Sequence, residues 1–258
     1  MISRLSAIAL NTFREAVRDR VLYNLIVFAL LLVAGAPLLG QISIDIERLV
    51  LVNVGLSAIS LFGVVIAIFI GIGLVSKEIE KKTLYTILAR PVRRWEFIVG
   101  KSSGLLMTLA ANTALMTAGF YAALLIDQRH LGRADAGLLI AVYFSALQFL
   151  MMTAITLLFS TFSTSIFSAV FAFSLFVIGT FSEDLRNFAA LAHGITKWFS
   201  TGAAYIVPNF ASLNVIAQVG HEQPIGGRLI FFNTLYAVLY SAAVTAGAVL
   251  IFERRNLK

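Results

Sequence analysis

The chain has 258 residues, of which 59% are hydrophobic and only 13% are charged, and its formal net charge is +7. About 25% of the residues of a typical soluble domain are charged, so this composition excludes an ordinary water-soluble protein. The chain has no cysteine, which excludes disulfides, thiol catalysis, lipids attached to cysteine and cysteine metal sites.

Apolar runs of about 20 residues, the length that a helix needs to cross a bilayer, recur along the chain. We predict six transmembrane helices, of which the fifth is the shortest. Their bounds are about Leu22–Gly40, Leu49–Val75, Ser102–Ile126, Gly137–Phe159, Ser165–Phe181 and Leu229–Phe252. The predicted fold class is an all-α polytopic membrane protein with a single transmembrane domain over residues 1–258.

Residues 1–21, which precede the first span, show a helical period. The apolar face holds Ile2, Leu5, Ile8, Ala9, Thr12, Phe13, Ala16 and Val17, and the other face holds Arg4, Asn11, Arg14, Glu15, Arg18 and Asp19. This pattern favours an amphipathic helix in the headgroup region of the membrane, with its arginines facing anionic lipid. The alternative is a cytoplasmic extension of the first span.

The basic residues indicate the orientation of the six predicted spans. If the N-terminus is cytoplasmic, the inner segments 1–21, 76–101, 160–164 and 253–258 hold 14 of the 20 lysine and arginine residues. Because short cytoplasmic loops carry this excess, both termini are expected in the cytoplasm of a bacterium or archaeon, with the chain crossing the inner (plasma) membrane several times. Topology explains the positive charge, so the expected partners include the lipid bilayer and no nucleic acid.

The outer segment 182–228 is too long for a simple connection. Its apolar residues recur at helical spacing from Leu185 to Phe199, which predicts an amphipathic helix on the outer surface. Tyr205–Phe210 then interrupts the pattern. The loop is interpreted either as a cap over the bundle or as a gate for a substrate.

Ionisable groups inside a membrane span are functional candidates, but all carboxylates and histidines fall outside the predicted spans. This argues against a proton-coupled carrier and an intramembrane protease, and we predict no catalytic residue and no metal site. Uncharged polar residues do occur in the spans, and helix packing is favoured over a substrate path for them. The candidates for such a path are Asn112, Gln148, Thr153 and Thr156. A ridge of small residues, Gly63, Ala67, Gly71 and Val75, also predicts helix packing.

The segment 76–101 between the second and third spans carries seven of the 20 basic residues. The second span can continue as a helix past Val75, and Pro91 ends that helix because proline disfavours helical angles in the residue before it. A new helix can then start and enter the third span. We predict a docking surface for a soluble partner, formed by Glu78, Glu80, Lys81, Thr83, Leu84, Leu88, Arg90, Pro91 and Arg94. The alternative is a basic loop that only fixes the topology.

The tripeptide Gly100-Lys101-Ser102 matches the end of a phosphate-binding loop. That motif also needs a glycine at position 95, where the chain has Trp95, and a preceding strand. We therefore expect no nucleotide site in this chain, and any ATP-driven work must come from a partner subunit.

The segment 76–101 resembles the signature of type-2 ABC transporter permeases, in particular the branch annotated for multicopper-enzyme maturation. The matching residues are Glu78, Glu80, Thr83, Leu84, Leu88, Pro91, Arg94, Phe97, Gly100 and Lys101, while Lys82 stands where the pattern often has glycine. Weaker similarity extends to Asn11–Glu15, to the six spans and to Pro208–Phe210. The resemblance implies a homodimer or a pair of homologous permeases that docks on two copies of an ABC ATPase, which binds the ATP and magnesium.

The leading hypothesis is a permease subunit that exports a substrate, with Glu78 and Glu80 facing basic groups of the ATPase and Leu84 and Leu88 buried against it. The alternative is a membrane scaffold that transports nothing and passes force from the ATPase to an extracytoplasmic partner through residues 182–228. A stand-alone channel or carrier is a third hypothesis, which the uncharged spans weaken.

Overall fold

The computed structural model of the chain describes residues 2–40, 47–80, 94–128, 132–191, 198, 202 and 207–254. All regular secondary structure within these residues is helical, which confirms the predicted all-α class for them. The helices in chain order are α1 (Ile2–Val17), α2 (Arg20–Gly40), α3 (Glu47–Glu80), α4 (Arg94–Gln128), α5 (Arg133–Ala136), α6 (Leu138–Phe162), α7 (Ser165–Thr180), α8 (Ser182–Leu191), α9 (Ile216–Gly220) and α10 (Gly227–Arg254). A 3₁₀ turn at Ala211–Leu213 precedes α9.

Four of the described helices are long and apolar enough to cross a membrane. Their apolar stretches are Arg48–Gly73 in α3, Trp95–Ile126 in α4, Leu138–Phe162 in α6 and Gly227–Arg254 in α10. They coincide with the second, third, fourth and sixth predicted spans. The first and fifth predicted spans fall on α2 and α7, whose apolar stretches in the described residues, Leu25–Gly35 and Ser165–Thr180, are shorter. Beyond four, the six-span count stays a prediction.

Helix α3 lies at the centre of the bundle and packs against α2, α4, α6 and α7. Its small residues allow this close packing. A Cβ atom on Gly63 would lie 1.9 Å from the ring of Phe149, and a Cβ atom on Gly71 would lie 2.9 Å from the Cγ2 atom of Thr156. Both glycines therefore let α6 approach α3, and Ala67 between them is fully buried. The packing role predicted for Gly63, Ala67 and Gly71 is confirmed, while the side chain of Val75 lies outside the described part of the chain.

The bundle has two ends, because α3 and α4 run antiparallel. Gly71 of α3 lies beside Leu105 of α4, whereas Gly55 lies beside Phe120. The described end of α3 at Glu80 and the start of α4 at Arg94 therefore lie at the same end of the bundle, which also holds Lys101 and which we call the Lys101 end. The opposite end holds Arg48 at the start of α3, and we call it the Arg48 end.

The segment from Pro208 to Gly220 folds onto the Arg48 end. Helix α9 packs against α3 and α6, and the apolar side chains of Phe210, Leu213 and Val219 are buried. This packing favours the cap interpretation over the gate for these residues. The amphipathic helix that the sequence predicts after Ser182 is observed as α8 as far as Leu191, and most of its predicted second half lies outside the described residues.

Candidate functional site

The predicted docking segment is only partly described. Helix α3 continues past Val75, as the sequence predicts, and is described as far as Glu80, while α4 is described from Arg94. Glu78 and Glu80 thus lie at the described end of α3, Arg94 lies at that of α4, and the predicted break at Pro91 lies outside the described residues. The side chains of Glu78, Glu80 and Arg94 lie outside the description, and so do the remaining docking candidates: Lys81, Thr83, Leu84, Leu88, Arg90 and Pro91.

Helix α1 packs closely against the first turns of α4, directly after this segment. A Cβ atom on Gly100 would lie 2.7 Å from the Cγ2 atom of Ile8, and a Cβ atom on Gly104 would lie 2.5 Å from the carbonyl oxygen of Ala9. Both distances are below van der Waals contact, so a side chain at either position would require α1 to shift, and at Gly104 the atom that must move belongs to the backbone. Glycines four residues apart lie on one face of a helix, and they create a flat groove into which a second helix can pack.

The predicted faces of α1 agree with this contact. Ala9, Thr12 and Ala16 are buried, whereas Asn11 and Arg14 on the other face are exposed. The small side chains of α1 thus face the glycine groove of α4. The location of α1 in the headgroup region stays a prediction.

The side chain of Lys101 is buried at the same junction and pairs with an exposed carboxylate. The side chain of Lys101 is 4% exposed, and its Nζ atom lies 3.8 Å from the Oε2 atom of Glu15 on α1. The same Nζ atom lies 5.5 Å from the ring centroid of Phe97, a cation–π geometry. Because a buried ammonium group needs nearby negative charge, the ion pair with Glu15 adds an electrostatic tie to the packing of α1 on α4.

Helix α10 joins the junction through an aromatic contact. The rings of Phe97 and Phe252 are stacked, with centroids 6.0 Å apart and an angle of 17° between their planes. The first turns of α4 therefore contact both α1 and α10. We call the group formed by Glu15, Phe97, Gly100, Lys101 and Gly104 the α1–α4 junction.

The structure corrects one expectation about charged groups. The sequence predicts every carboxylate outside the spans, but Glu96 lies inside the candidate span Trp95–Ile126 and is only 3% exposed. The span starts earlier than predicted, because the helix begins at Arg94 and the apolar window extends back to Trp95. Gly100, Lys101 and Ser102 accordingly lie within a helix, where Gly100 contacts α1 and Lys101 pairs with Glu15.

The four candidates for a substrate path are all buried in the bundle. The Oε1 atom of Gln148 accepts a hydrogen bond of 2.8 Å from Ser60 on α3, and the hydroxyl of Thr153 donates to the carbonyl of Phe149. These two residues fit the packing interpretation. The Nδ2 atom of Asn112 and the Oγ1 atom of Thr156 are buried and have no hydrogen-bond partner among the residues that the structure describes. The substrate path stays a prediction.

A network of charged residues that the sequence does not predict lies at the Arg48 end. Arg48 at the start of α3 donates a 2.9 Å hydrogen bond to the Oδ1 atom of Asp135 and also pairs with Glu222. The Oδ2 atom of Asp135 accepts a 2.7 Å hydrogen bond from the backbone of Gly132. Three segments that are distant in the sequence meet here. Ion pairs between residues that are far apart in the sequence produce no local sequence pattern, so they become visible only in the structure.

The comparison with known protein families matches residues 6–257 with a family described as "ABC-2 family transporter protein". The chain belongs to this family. The resemblance to type-2 ABC permeases is thereby confirmed at the level of the family, and the multicopper-enzyme branch is not confirmed. A comparison with curated proteins returned no match.

Membership of the ABC-2 family and the four apolar helices together indicate a membrane transporter permease. Such permeases are the membrane components of transporters and are in general not catalytic, and membership implies an ABC ATPase partner in general terms. The match extends over α1, the bundle and α10, so the α1–α4 junction belongs to the ABC-2 domain.

The Pro208–Phe210 tripeptide, one of the weaker points of resemblance, forms a wedge at the Arg48 end of this ABC-2 permease. A Cβ atom on Gly179 of α7 would lie 2.6 Å from the carbonyl oxygen of Pro208 and from the ring of Phe210. The Oδ1 atom of Asn209 accepts a 2.7 Å hydrogen bond from Ser182, and its backbone N–H donates to the hydroxyl of Tyr236. The wedge thus joins α7 and α8 to α10.

Proposed function

We propose that the chain is the permease subunit of an ATP-driven ABC exporter in the inner (plasma) membrane of a bacterium or archaeon. Two copies, or one copy and a homologous permease, form the membrane part and dock on two ATPase subunits that bind ATP and magnesium. The chain crosses the membrane six times, α1 lies in the headgroup region, and both termini are cytoplasmic. The Lys101 end then faces the cytoplasm.

The observation that supports this proposal most strongly is the α1–α4 junction. The described part of α3 ends and that of α4 begins at the Lys101 end, and the α1–α4 junction fixes the first turns of α4 there. A force that the ATPase exerts on segment 76–101 therefore reaches α4, which contacts α1 and α10. The three helices can then move together. Segment 76–101 is the proposed contact with the ATPase.

The docking proposal is tested with the double variant Glu78→Lys with Leu84→Asp. Burial of one leucine side chain contributes about 1.5–3 kcal/mol, and 1.4 kcal/mol is a factor of ten in affinity. We therefore expect at least about tenfold less ATPase to co-purify with this variant than with the wild-type permease, when both are extracted from membranes of cells that also make the ATPase. The measurement is the ratio of ATPase to permease after affinity purification in mild detergent.

The matched control is Glu183→Lys with Leu191→Asp, which makes the same two changes on α8, where Leu191 is 77% exposed. We expect this control to retain the ATPase. Size-exclusion chromatography of each permease separates loss of docking from loss of folding. A folded docking variant that retains as much ATPase as the wild type contradicts the proposal, and so does a wild-type chain that co-purifies with no ATPase.

A further inference from the structure

A groove of about 400 Å³ lies at the Lys101 end of the bundle, between α3, α7 and the connection from α1 to α2. Its lining includes Phe69, Ile72 and Gly73 of α3, Ile166 and Val170 of α7, and Asp19. Gly73 and Ala169, which also line it, are too small to fill the space between α3 and α7. The volume falls in the range of about 300–1,000 Å³ that is typical of small-molecule sites.

The groove lies at the level where the apolar part of α3 ends. Gly73 is the last residue of the candidate span Arg48–Gly73. Lys77, the first charged residue after it, follows four residues later, which is about 6 Å along the helix. In a bilayer this is the boundary between the hydrocarbon core and the polar headgroups. The groove can therefore contact the headgroup of a lipid and the first part of its acyl chain.

One side of the groove is open. The side chains of Phe69, Ile166 and Val170 are more than half exposed, whereas Ile70 and Ile72, which also line the groove, are buried. In a membrane the exposed side chains meet lipid, so a molecule of the bilayer can enter the groove from the side without crossing water.

Asp19 is the one charged residue in the described lining of the groove. It directly precedes α2 and is partly exposed, so its carboxylate is accessible. A carboxylate has two oxygens with about four acceptor sites, so Asp19 can accept a hydrogen bond from a ligand in addition to its contacts within the chain. Arg18, the residue before it, is exposed. A ligand in the groove therefore meets an anion and, next to it in the sequence, a cation.

We propose that this groove binds phosphatidylethanolamine from the surrounding bilayer. The ammonium group of the lipid donates a charge-assisted hydrogen bond to Asp19, its phosphate pairs with the guanidinium group of Arg18, and the first part of an acyl chain lies on the apolar lining. The choline headgroup has no N–H to donate, and a glycerol headgroup has no positive charge.

A helix of a second copy fits the groove less well than this lipid. The exposed side chains of α7 include Ile166, Phe167 and Val170, and an apolar face of this kind would place the carboxylate of Asp19 in apolar surroundings. Removal of a charged group from water without an opposite charge is unfavourable. The ethanolamine headgroup supplies that charge.

The site goes beyond the coupling proposed above, and its test needs neither the ATPase nor a particular orientation, so it can fail while that proposal stands. The purified chain is placed in phosphatidylcholine nanodiscs that contain a trace of phosphatidylethanolamine with a diazirine in its acyl chain. A phosphatidylcholine probe with the same chain is the comparison. We expect the ethanolamine probe to label the peptides of α3 and α7 that line the groove about 2- to 10-fold more strongly, since one hydrogen bond distinguishes the probes.

The variant Asp19→Asn tests the role of the charge. Asparagine and aspartate are about equally favourable directly before a helix, so the start of α2 should be preserved. Because the amide carries no negative charge, the ratio of labelling by the two probes should fall to near one. Asp184→Asn makes the same change at an exposed residue of α8 and should keep the preference of the wild type.

Filling variants locate the site. Ala169→Leu occupies the groove and should abolish labelling of these peptides by both probes, with Val170→Trp on the open side as a second filling variant if the first does not fold. Ser174→Leu is the matched control, because Ser174 is an exposed residue of α7 that does not line the groove, and its labelling should equal that of the wild type.

Equal labelling of the wild type by the two probes, a preference that survives Asp19→Asn, or labelling that survives both filling variants overturns the proposal. A further result also overturns it. The chain has no cysteine, so Val170→Cys introduces a single thiol. If oxidation of this variant joins two copies in the nanodisc and the addition of Ala169→Leu weakens that pairing, the groove accommodates a helix of a second copy instead of a lipid.

Discussion

Gly104 of α4 packs directly against the backbone of α1, so that a methyl group at this position would lie 2.5 Å from the carbonyl oxygen of Ala9. Neither backbone can move without disturbing its helix. We therefore expect Gly104→Ala to lower the free energy of unfolding by about 1–3 kcal/mol, as other overpacked sites do. The measurement is the thermal or denaturant midpoint of the purified protein in detergent.

Gly35→Ala is the matched control for this variant, because a Cβ atom at Gly35 of α2 meets no atom within 4 Å. Alanine also has the higher helix propensity, so this control should be as stable as the wild type or more stable. Equal stability of the two alanine variants would show that α1 does not depend on the close contact at Gly104.

The hydrogen bond between Ser60 and Gln148 joins α3 to α6 in the interior of the bundle. Hydrogen bonds between membrane helices contribute about 0.6 kcal/mol on average, with a maximum of about 1.7 kcal/mol. A double-mutant cycle with Ser60→Ala and Gln148→Leu should give a coupling energy in this range. Ser57→Ala, at an exposed position of α3, is the control and should show no coupling to Gln148→Leu.

Replacement of Arg48 should destabilise the protein more than replacement of Glu222, its exposed partner. The side chain of Asp135 is 4% exposed and that of Glu222 is 56% exposed. Arg48→Met leaves the buried Asp135 carboxylate without its cation and should cost about 1–3 kcal/mol. Glu222→Gln removes only an exposed ion pair and should cost about 0–1 kcal/mol. Chemical denaturation of both variants checks the order, and a larger loss for Glu222→Gln would contradict it.

The stability that the Pro208–Phe210 wedge contributes should depend on the side-chain oxygen of Asn209. This atom accepts hydrogen bonds from Ser182 and from the backbone of Ser212, at 2.7 Å and 3.1 Å. Asn209→Leu leaves both donors unpaired and should destabilise the protein by about 1–3 kcal/mol, whereas Asn209→Asp keeps the oxygen and should cost less. Asn214→Leu is the control, since Asn214 is exposed and forms only a 3.4 Å contact with the backbone of Ile216.

The long apolar helices were predictable because their signal is local. The predicted second span, Leu49–Val75, agrees with the candidate span Arg48–Gly73 in α3, since continuous hydrophobicity and membrane thickness define both. The ridge of Gly63, Ala67 and Gly71 was predictable because its signal is local as well. Small residues four apart lie on one face of a helix, and such a face is typical of a contact with a second helix.

The contacts between distant segments were not predictable from the sequence. Nothing in the sequence around Arg48, Asp135 or Glu222 indicates that these residues pair, because charged loop residues are solvated in most proteins. The groove at Gly100 and Gly104 did have a signal, namely two glycines four residues apart at the start of a span. Gly100-Lys101-Ser102 is similar in sequence to the end of a phosphate-binding loop, but in the structure Gly100 allows α1 to pack against α4.

The α1–α4 junction also has a consequence for the order of events during synthesis. Its two halves are about 90 residues apart in the chain, and translation at about 5–20 residues per second separates their emergence by roughly 5–20 seconds. Helix α1 is therefore made before its partner and has Ala9 and Thr12 uncovered by α4 while α2 and α3 are synthesised. The arrival of Gly104 then ends this interval, so α1 is made well before the helix against which it packs.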